Sequence, residues 1–304
     1  MPNKTKIEYA DYVSNPIRAV YISVTEEGHQ VKNGYACVKV SEGCAHCWAS
    51  GFNVRLGTGL EYTAPNLARV DEYLSEKELG RLLTFKPSGP FKNDRERGLV
   101  FVCDMTDLFA SWHSFEKYAR PIFDVFERRQ DVDFLVLTKR PVWMMEFCHR
   151  WANWNKEALP NVFLGVSVEN EIWSARRRWS MQEIARLGWK TVVSYEPALE
   201  KVDWGGWEFI DGMMCGGESG AGARMMHQDW ARSARDFCRE NKIQFFFKSW
   251  GEWAACAQLP WIDGNTTFSH KPVAFQGTMM FRVGKGKAGH FLDGREWREM
   301  PEVK

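Results

Sequence analysis

The chain has 304 residues, 44% of them hydrophobic, enough for a large core and more than the usual single domain unless the fold is a barrel. Forty Lys and Arg against thirty-nine Asp and Glu leave a formal charge of +1, so no global field draws in nucleic acid and any DNA contact must rest on a local patch. The opening MPNKTKIEYADYV has no apolar signal core and no apolar run reaches membrane-spanning length, which argues against a membrane partner and predicts a cytoplasmic protein with reduced thiols.

Residues 1 to 30 carry short β-like stretches, such as Ala19 to Val24, between polar turns and predict an N-terminal cap. Asn33 to Ser50 follows, reading NGYACVKVSEGCAHCWAS, with Cys37, Cys44 and Cys47 inside eleven residues. The other cysteines, Cys103, Cys148, Cys215, Cys238 and Cys256, stand singly and mostly in apolar segments, where a thiol behaves as a small hydrophobe. The Cys44-x-x-Cys47 turn wraps one point, and the six residues before it let Cys37 close from the side, so three thiolates can converge on one soft metal centre. Two centres suit them. A structural zinc wants four closed ligands and would have to find its fourth in His46 or His29, while an iron-sulfur cube on three cysteines leaves one iron open. Three ordinary buried thiols are the remaining reading, against which stand Gly43 and the turn-rich loop.

Asn66 to Leu83 has apolar positions at helical spacing and is broken by PSGP at 87 to 90. Apolar β-rich runs then recur at 99–104, 133–140, 161–170, 190–197, 209–219 and 243–251. Amphipathic helical stretches lie between most of them, for example Phe115 to Arg129, Ile172 to Leu187 and Asp229 to Asn241. Short buried strands alternating with helices predict parallel βαβ units. The fold expected is α/β, a partial TIM-like (β/α) barrel over 31–253, with the cap before it and a C-terminal extension over 254–304.

Polar side chains close each run: Asp104, Thr106 and Asp107; Thr138, Lys139 and Arg140; Ser167, Glu169 and Asn170; Ser194, Tyr195 and Glu196; Glu218 and Ser219; Lys248, Ser249 and Trp250. In a β/α barrel the strand ends ring one mouth, although Ser, Thr, Asp and Asn also serve as helix caps and turn residues. Lys139, Arg140, Arg224, His227 and Lys248 can line that mouth with positive charge for a carboxylate or phosphate, or pair with Glu196, Glu218 or Asp107. Arg176-Arg177-Arg178 on a helix reads as a solvated face before a DNA patch, and Lys285, Lys287 and Arg295 make a second candidate phosphate surface. Most of the fifteen Trp are expected in the core or at its edges.

A three-cysteine loop followed by βα units resembles the radical S-adenosylmethionine (SAM) superfamily. GCAHCWAS, FVCDMTDLF, VLTKRP, NVFLGVSVEN, VVSYEPALE, MCGGESGAGARMMHQDWARSARDFC, FFFKSWGEW and HFLDGREWREMP are, more closely, similar to a phage-borne radical-SAM-like family usually described only as phage proteins of unknown function. The likeness covers roughly residues 35 to 300. The superfamily's common loop is Cys-x3-Cys-x2-Cys, whereas six residues separate Cys37 from Cys44 here, a longer loop that the phage family shares.

That resemblance implies a 4Fe-4S cluster on Cys37, Cys44 and Cys47, with SAM at the open iron. It implies a SAM amino contact at Asp104, Thr106 and Asp107, with ribose and carboxylate contacts at Ser167, Glu169 and Asn170. Thr138 and Lys139 fall in the same cofactor set. Gly216 and Gly217 are assigned to close backbone approach at the mouth. Arg140, Glu196, Glu218, Arg224 and Lys248 are the expected catalytic residues, Glu218 lying between a SAM and a substrate role. The activity implied is a radical rearrangement of a modified thymidine in phage DNA, an N-linked glycyl group becoming C-linked, in the host cytoplasm and with an external electron donor. The alternatives are a repair lyase with Cys215 or Tyr195 as hydrogen donor, radical chemistry on a free small molecule, and a non-catalytic metal-binding DNA module.

Overall fold

The computed structural model describes residues 2–26, 28–261 and 271–301. Strands β1 (Asn3–Lys4) and β2 (Tyr12–Ser14) precede a hairpin of β3 (Ile17–Thr25) and β4 (Gly28–Gly34). Next come α1 (Trp48–Leu56), α2 (Ala64–Leu67), β5 (Asp71–Leu74) and α3 (Glu76–Thr84). The alternating region comprises β6 (Leu99–Val102), α4 (Arg120–Arg128), β7 (Asp133–Thr138), α5 (Pro141–Asn153), β8 (Val162–Ser167), α6 (Glu171–Arg186), β9 (Lys190–Tyr195), β10 (Gly212–Gly216), α7 (Gln228–Glu240) and β11 (Gln244–Ser249). Then follow β12 (Trp253–Ala255), β13 (Val273–Phe275), β14 (Thr278–Arg282), α8 (Lys285–Ala288), β15 (Phe291–Leu292) and β16 (Arg295–Glu296). Parts of the expected C-terminal extension, residues 262–270 and 302–304, lie outside the described residues.

The main sheet has strand order β1-β2-β6-β7-β8-β9-β10-β11, so β6 to β11 follow one another in sequence order, as a partial TIM-like (β/α) barrel requires. Parallel pairing joins β2 to β6, β6 to β7, β9 to β10 and β10 to β11. Every residue of β6, β8 and β10 is buried, the signature of strands covered on both faces. The parallel ladder starts earlier than the six apolar runs suggest, because Tyr12–Ser14 pairs with Val100–Val102. No helix among the described residues is long and apolar enough to cross a membrane.

The chain forms two compact units, residues up to 164 with 187–189, and residues 165–186 with those from 190 onward. The first is built on aromatic packing of α4 and α5 around Phe123, whose ring lies 4.6 Å from Phe147, 5.6 Å from Trp151 and 5.7 Å from Trp189. In the second, Tyr195, Trp204 and Trp207 pack edge to face, as do Phe247 and Trp250. Among the described residues seven Trp are buried (Trp151, Trp189, Trp204, Trp207, Trp230, Trp250 and Trp297), whereas Trp48, Trp143 and Trp179 stay exposed.

The helix expected over 66–83 is instead three elements. Asp71–Leu74 pairs antiparallel with Ile17–Val20, and Ser75 caps α3 by accepting the Glu78 N–H. The apolar positions at helical spacing there are drawn from all three elements, Leu67 from α2, Tyr73 and Leu74 from β5 and Leu79, Leu82 and Leu83 from α3, which a period alone cannot separate.

Candidate functional site

The first unit gathers the three clustered thiols with the ends of β6 and β7. After β4 the chain runs through Cys37, makes a single tight turn over Glu42–Cys44, and reaches Cys47 as the extended N-cap of α1. All three thiols are free and half-buried. Cys37 and Cys47 pack on Ala49, Tyr62 and Met105, and the Tyr62 hydroxyl donates to the Met105 carbonyl at 2.7 Å.

Burial pushes the Cys37 thiol up to about 12, helped by the Asp107 carboxylate and by Cys47 and Cys44, with Arg140 opposing. Burial also raises Cys47, and Cys44 adds to the rise, while the Ser50 and Ala49 N–H groups and Lys139 oppose it. Cys37 therefore feels both of the other thiols, and Cys47 feels Cys44. The Val40 N–H points at Cys44 Sγ at 3.5 Å. Main-chain donors aimed at sulfur, two of them at a helix N-terminus, are what thiolates on a metal or cluster need. Three mutually repelling thiolates are relieved by a cation among them, so the donor set fits a cluster. Among the described residues no three His, Cys, Asp or Glu side chains stand as a ready ligand sphere. His29 lies on β4 opposite Val24.

A brace ties this loop to the strand ends. Asp107, 7% exposed, accepts from Thr138 Oγ1 at 2.7 Å and the Phe109 N–H at 3.0 Å through one oxygen. Its other oxygen accepts from the Lys139 N–H at 3.2 Å and Arg140 Nη1 at 2.8 Å. Arg140 Nη2 then reaches the Val38 carbonyl at 2.9 Å, beside Cys37, and the guanidinium lies over the Trp112 ring. Thr106 donates to the Ala36 carbonyl at 2.5 Å. Cys103, at φ 62°, makes the left-handed turn that sends 104–107 toward the loop, a conformation uncommon for a residue with a side chain.

Asp104 accepts from Asn15 Nδ2 at 2.5 Å, and burial pushes its carboxyl up to about 6. The folded chain thus keeps a proton that the unfolded chain releases nearer the ordinary aspartate value of 3.8, so this group's contribution weakens stability as pH rises through about 6. Asp104→Asn is expected to flatten that decline, with a difference on the order of 1–3 kcal/mol between pH 4 and 7. Urea midpoints of the two proteins across that range measure it, and parallel profiles would contradict the assignment.

The second unit holds a separate set. Glu196 accepts from Ser194 Oγ at 3.2 Å and pairs with Lys248 at 3.0 Å. A Cβ on Gly216 would lie 2.9 Å from the Glu196 carboxylate at the end of β9, and one on Gly217 only 2.1 Å from the Trp250 carbonyl just past β11, so both glycines serve close approach of neighbouring strand ends. Glu218, 7% exposed, takes the Arg224 N–H at 2.9 Å, Nε at 2.8 Å and Nη2 at 2.6 Å. Glu169 is fully buried against Arg177, 2.7 Å away, and Arg177 also donates to the Ser167 carbonyl. Asn170 accepts the Trp173 N–H at 3.1 Å, a helix-start contact at α6. His227 caps α7 by accepting the Asp229 N–H. Tyr195, whose hydroxyl donates to the Glu200 carbonyl, and Cys215 are fully buried.

Arg140, Arg224 and Lys248 therefore all carry a carboxylate partner, the internal pairing that sequence left open beside a positive lining. The Arg176–Arg178 triplet is not a uniform solvated face, since Arg177 is 2% exposed. Periodicity could not show this, because the partner Glu169 comes from a strand end. Sequence reasoning also missed Asn15, Asn53, Ser50 and Tyr62, which no spacing marks. An Asn inside a helix, where its side chain competes for backbone groups, is the one signal that could have found Asn53.

A family model described as protein of unknown function (DUF5131) matches residues 4–301. No curated protein matches the chain. Among solved structures, a doubly substituted spore photoproduct lyase with bound AdoMet and dinucleoside spore photoproduct is similar at 9% identity and a TM-score of 0.43, covering 93% of this chain and 71% of that one.

Proposed function

We propose that this chain, which belongs to the DUF5131 family of proteins of unknown function, is a radical SAM enzyme. Cys37, Cys44 and Cys47 would hold a 4Fe-4S cluster, and SAM would bind beside it. Together the two cofactors supply a one-electron cleavage of the sulfonium that yields a 5'-deoxyadenosyl radical. The observation that carries the reading is the set of three free thiols, with Cys37 within electrostatic reach of Cys44 and Cys47 and main-chain N–H groups aimed at Cys44 and Cys47.

The chain's own residues orient and enclose. Asp107 and Arg140 fix the loop against the ends of β6 and β7, and Tyr62 packs with Ala49 and Met105 against Cys37 and Cys47, covering part of each thiol. Asp104, with a carboxyl that burial favours in the neutral form, stands where the resemblance expects the SAM amino group. The substrate proposed is a modified thymidine in phage DNA, with an external electron donor, and it is supported by the motif resemblance alone. An anionic substrate group would have to exchange with Glu218 at Arg224 or Glu196 at Lys248, since both cations are already paired. Isomerisation is favoured over a lyase reaction because Tyr195 and Cys215, the hydrogen donors a lyase reading calls for, are fully buried.

The test is anaerobic purification with iron and sulfide analysis, then 5'-deoxyadenosine release with modified DNA, unmodified DNA or no DNA. Release only with modified DNA supports the full reading, release without DNA supports a free small molecule, and zinc in place of iron and sulfide supports a non-catalytic module. Cys148→Ala, which removes a fully buried thiol on α5, is expected to keep the cluster and lower stability by about 1 kcal/mol. Equal loss of iron in that variant would show that the effect of any cysteine change here is one of folding.

A further inference from the structure

We propose that Asn53 is the positioning residue of the three-thiol loop, holding the strand that delivers Cys37 at a set distance from the helix whose N-cap is Cys47; this rests on the cluster reading above. The helix α1 is inside out. Its buried residues are Ala49, Ser50 and Asn53, whereas Trp48, Phe52, Val54 and Leu56 are 58%, 36%, 43% and 64% exposed. With no large apolar side chain on its inner face, α1 is docked by directed hydrogen bonds and not by burial of apolar surface.

Asn53 supplies most of them. It is 1% exposed and its carboxamide uses its full capacity. Oδ1 accepts the Tyr35 N–H at 2.9 Å and the Thr58 N–H at 3.3 Å, and Nδ2 donates to Thr58 Oγ1 at 2.7 Å and the Leu60 carbonyl at 2.8 Å. Tyr35 stands two residues before Cys37, and Asn53 six after Cys47. One amide thus bonds to the residue that follows β4, two before Cys37, from the helix that Cys47 starts. Space is cleared for it on two sides, since a Cβ at Gly34 or Gly57 would fall 2.4 or 2.2 Å from Asn53 Oδ1. The Ser50 hydroxyl adds a second latch by accepting the Tyr62 N–H at 3.1 Å, which seats the ring that packs on Cys37 and Cys47.

The control lies in the same unit. Asn161, fully buried, donates to the Phe126, Arg129 and Val132 carbonyls at 3.1, 3.0 and 3.1 Å, a hub of similar size with no bond to the thiol loop. Asn53→Ala and Asn161→Ala are compared for unfolding midpoint, for iron bound at limiting iron, and for the absorption and EPR of the reconstituted full chain. In a Cys44→Ser background without metal, dibromobimane, which fluoresces on bridging two nearby thiols, reports whether Cys37 and Cys47 still meet. Asn53→Ala is expected to bind about tenfold less iron and to lose bridging, whereas Asn161→Ala loses stability and keeps both. Asn53→Asp, which keeps the acceptors for Tyr35 and Thr58 but not the donors, is expected to recover part of the iron. Iron binding by Asn53→Ala equal to the parent's, or an equal loss in Asn161→Ala, overturns the proposal. A parent that bridges but takes up no iron refutes the cluster and leaves the clamp standing, and one that does neither refutes both.

Discussion

Replacing any one of Cys37, Cys44 or Cys47 by alanine is expected to bring iron and acid-labile sulfide to background, to abolish the brown chromophore and to stop SAM cleavage. A cluster held by three protein ligands has no spare, so losing one thiolate leaves two, and the buried thiols cannot step in: Cys103 is 1% exposed, and Cys148, Cys215 and Cys238 are fully buried among apolar side chains. Burial and the neighbouring charges hold Cys37 in the thiol form when no cation is present, so the chain gains little from three thiolates without a metal. Folding is expected to survive, because all three are only half-buried. The measurement is iron and sulfide per chain together with the far-UV circular dichroism of each variant. A variant that kept the chromophore and the cleavage would remove that residue from the ligand set.

Glu169→Ala is expected to lower stability by about 3–5 kcal/mol, the cost of leaving the Arg177 guanidinium buried without its carboxylate. The side chains are 0% and 2% exposed and meet at 2.7 Å, so solvent neither screens the pair nor replaces the lost partner. Glu169→Leu combined with Arg177→Leu removes both charges and is expected to recover most of the loss. That double-mutant pattern separates two roles for Glu169. As half of a structural ion pair it governs the urea midpoint, and the double variant binds SAM as the parent does. As a cofactor contact it would govern SAM affinity, and the double variant would be stable but unable to bind. The geometry favours the first, because the Glu169 carboxylate accepts from Arg177 at 2.7 Å with both side chains shut off from solvent.

Arg177 and Asn53 show where reading the chain stops. The apolar runs at 99–104, 133–140, 161–170, 190–197, 209–219 and 243–251 each contain a strand, and the amphipathic stretches between them become α4, α6 and α7. Those features depend on neighbours within a turn or a strand, which the sequence carries locally. Arg177 sits in a run of three arginines that looks uniformly solvated, yet its environment is set by Glu169, eight residues back across a strand-to-helix turn. Asn53 offers no periodic signal because its partners are backbone groups on both sides of the thiol loop.

By itself the sequence determined the three-thiol loop, the βα alternation and the strand ends at which Asp104, Thr138, Glu196 and Lys248 appear, because each is a matter of short-range spacing. Only the tertiary structure decided that Arg140 belongs to Asp107, Arg224 to Glu218 and Lys248 to Glu196, and that α1 turns its polar face inward. Those choices turn on which strand ends lie side by side and on what desolvation demands of a buried charge, which spacing along the chain does not encode.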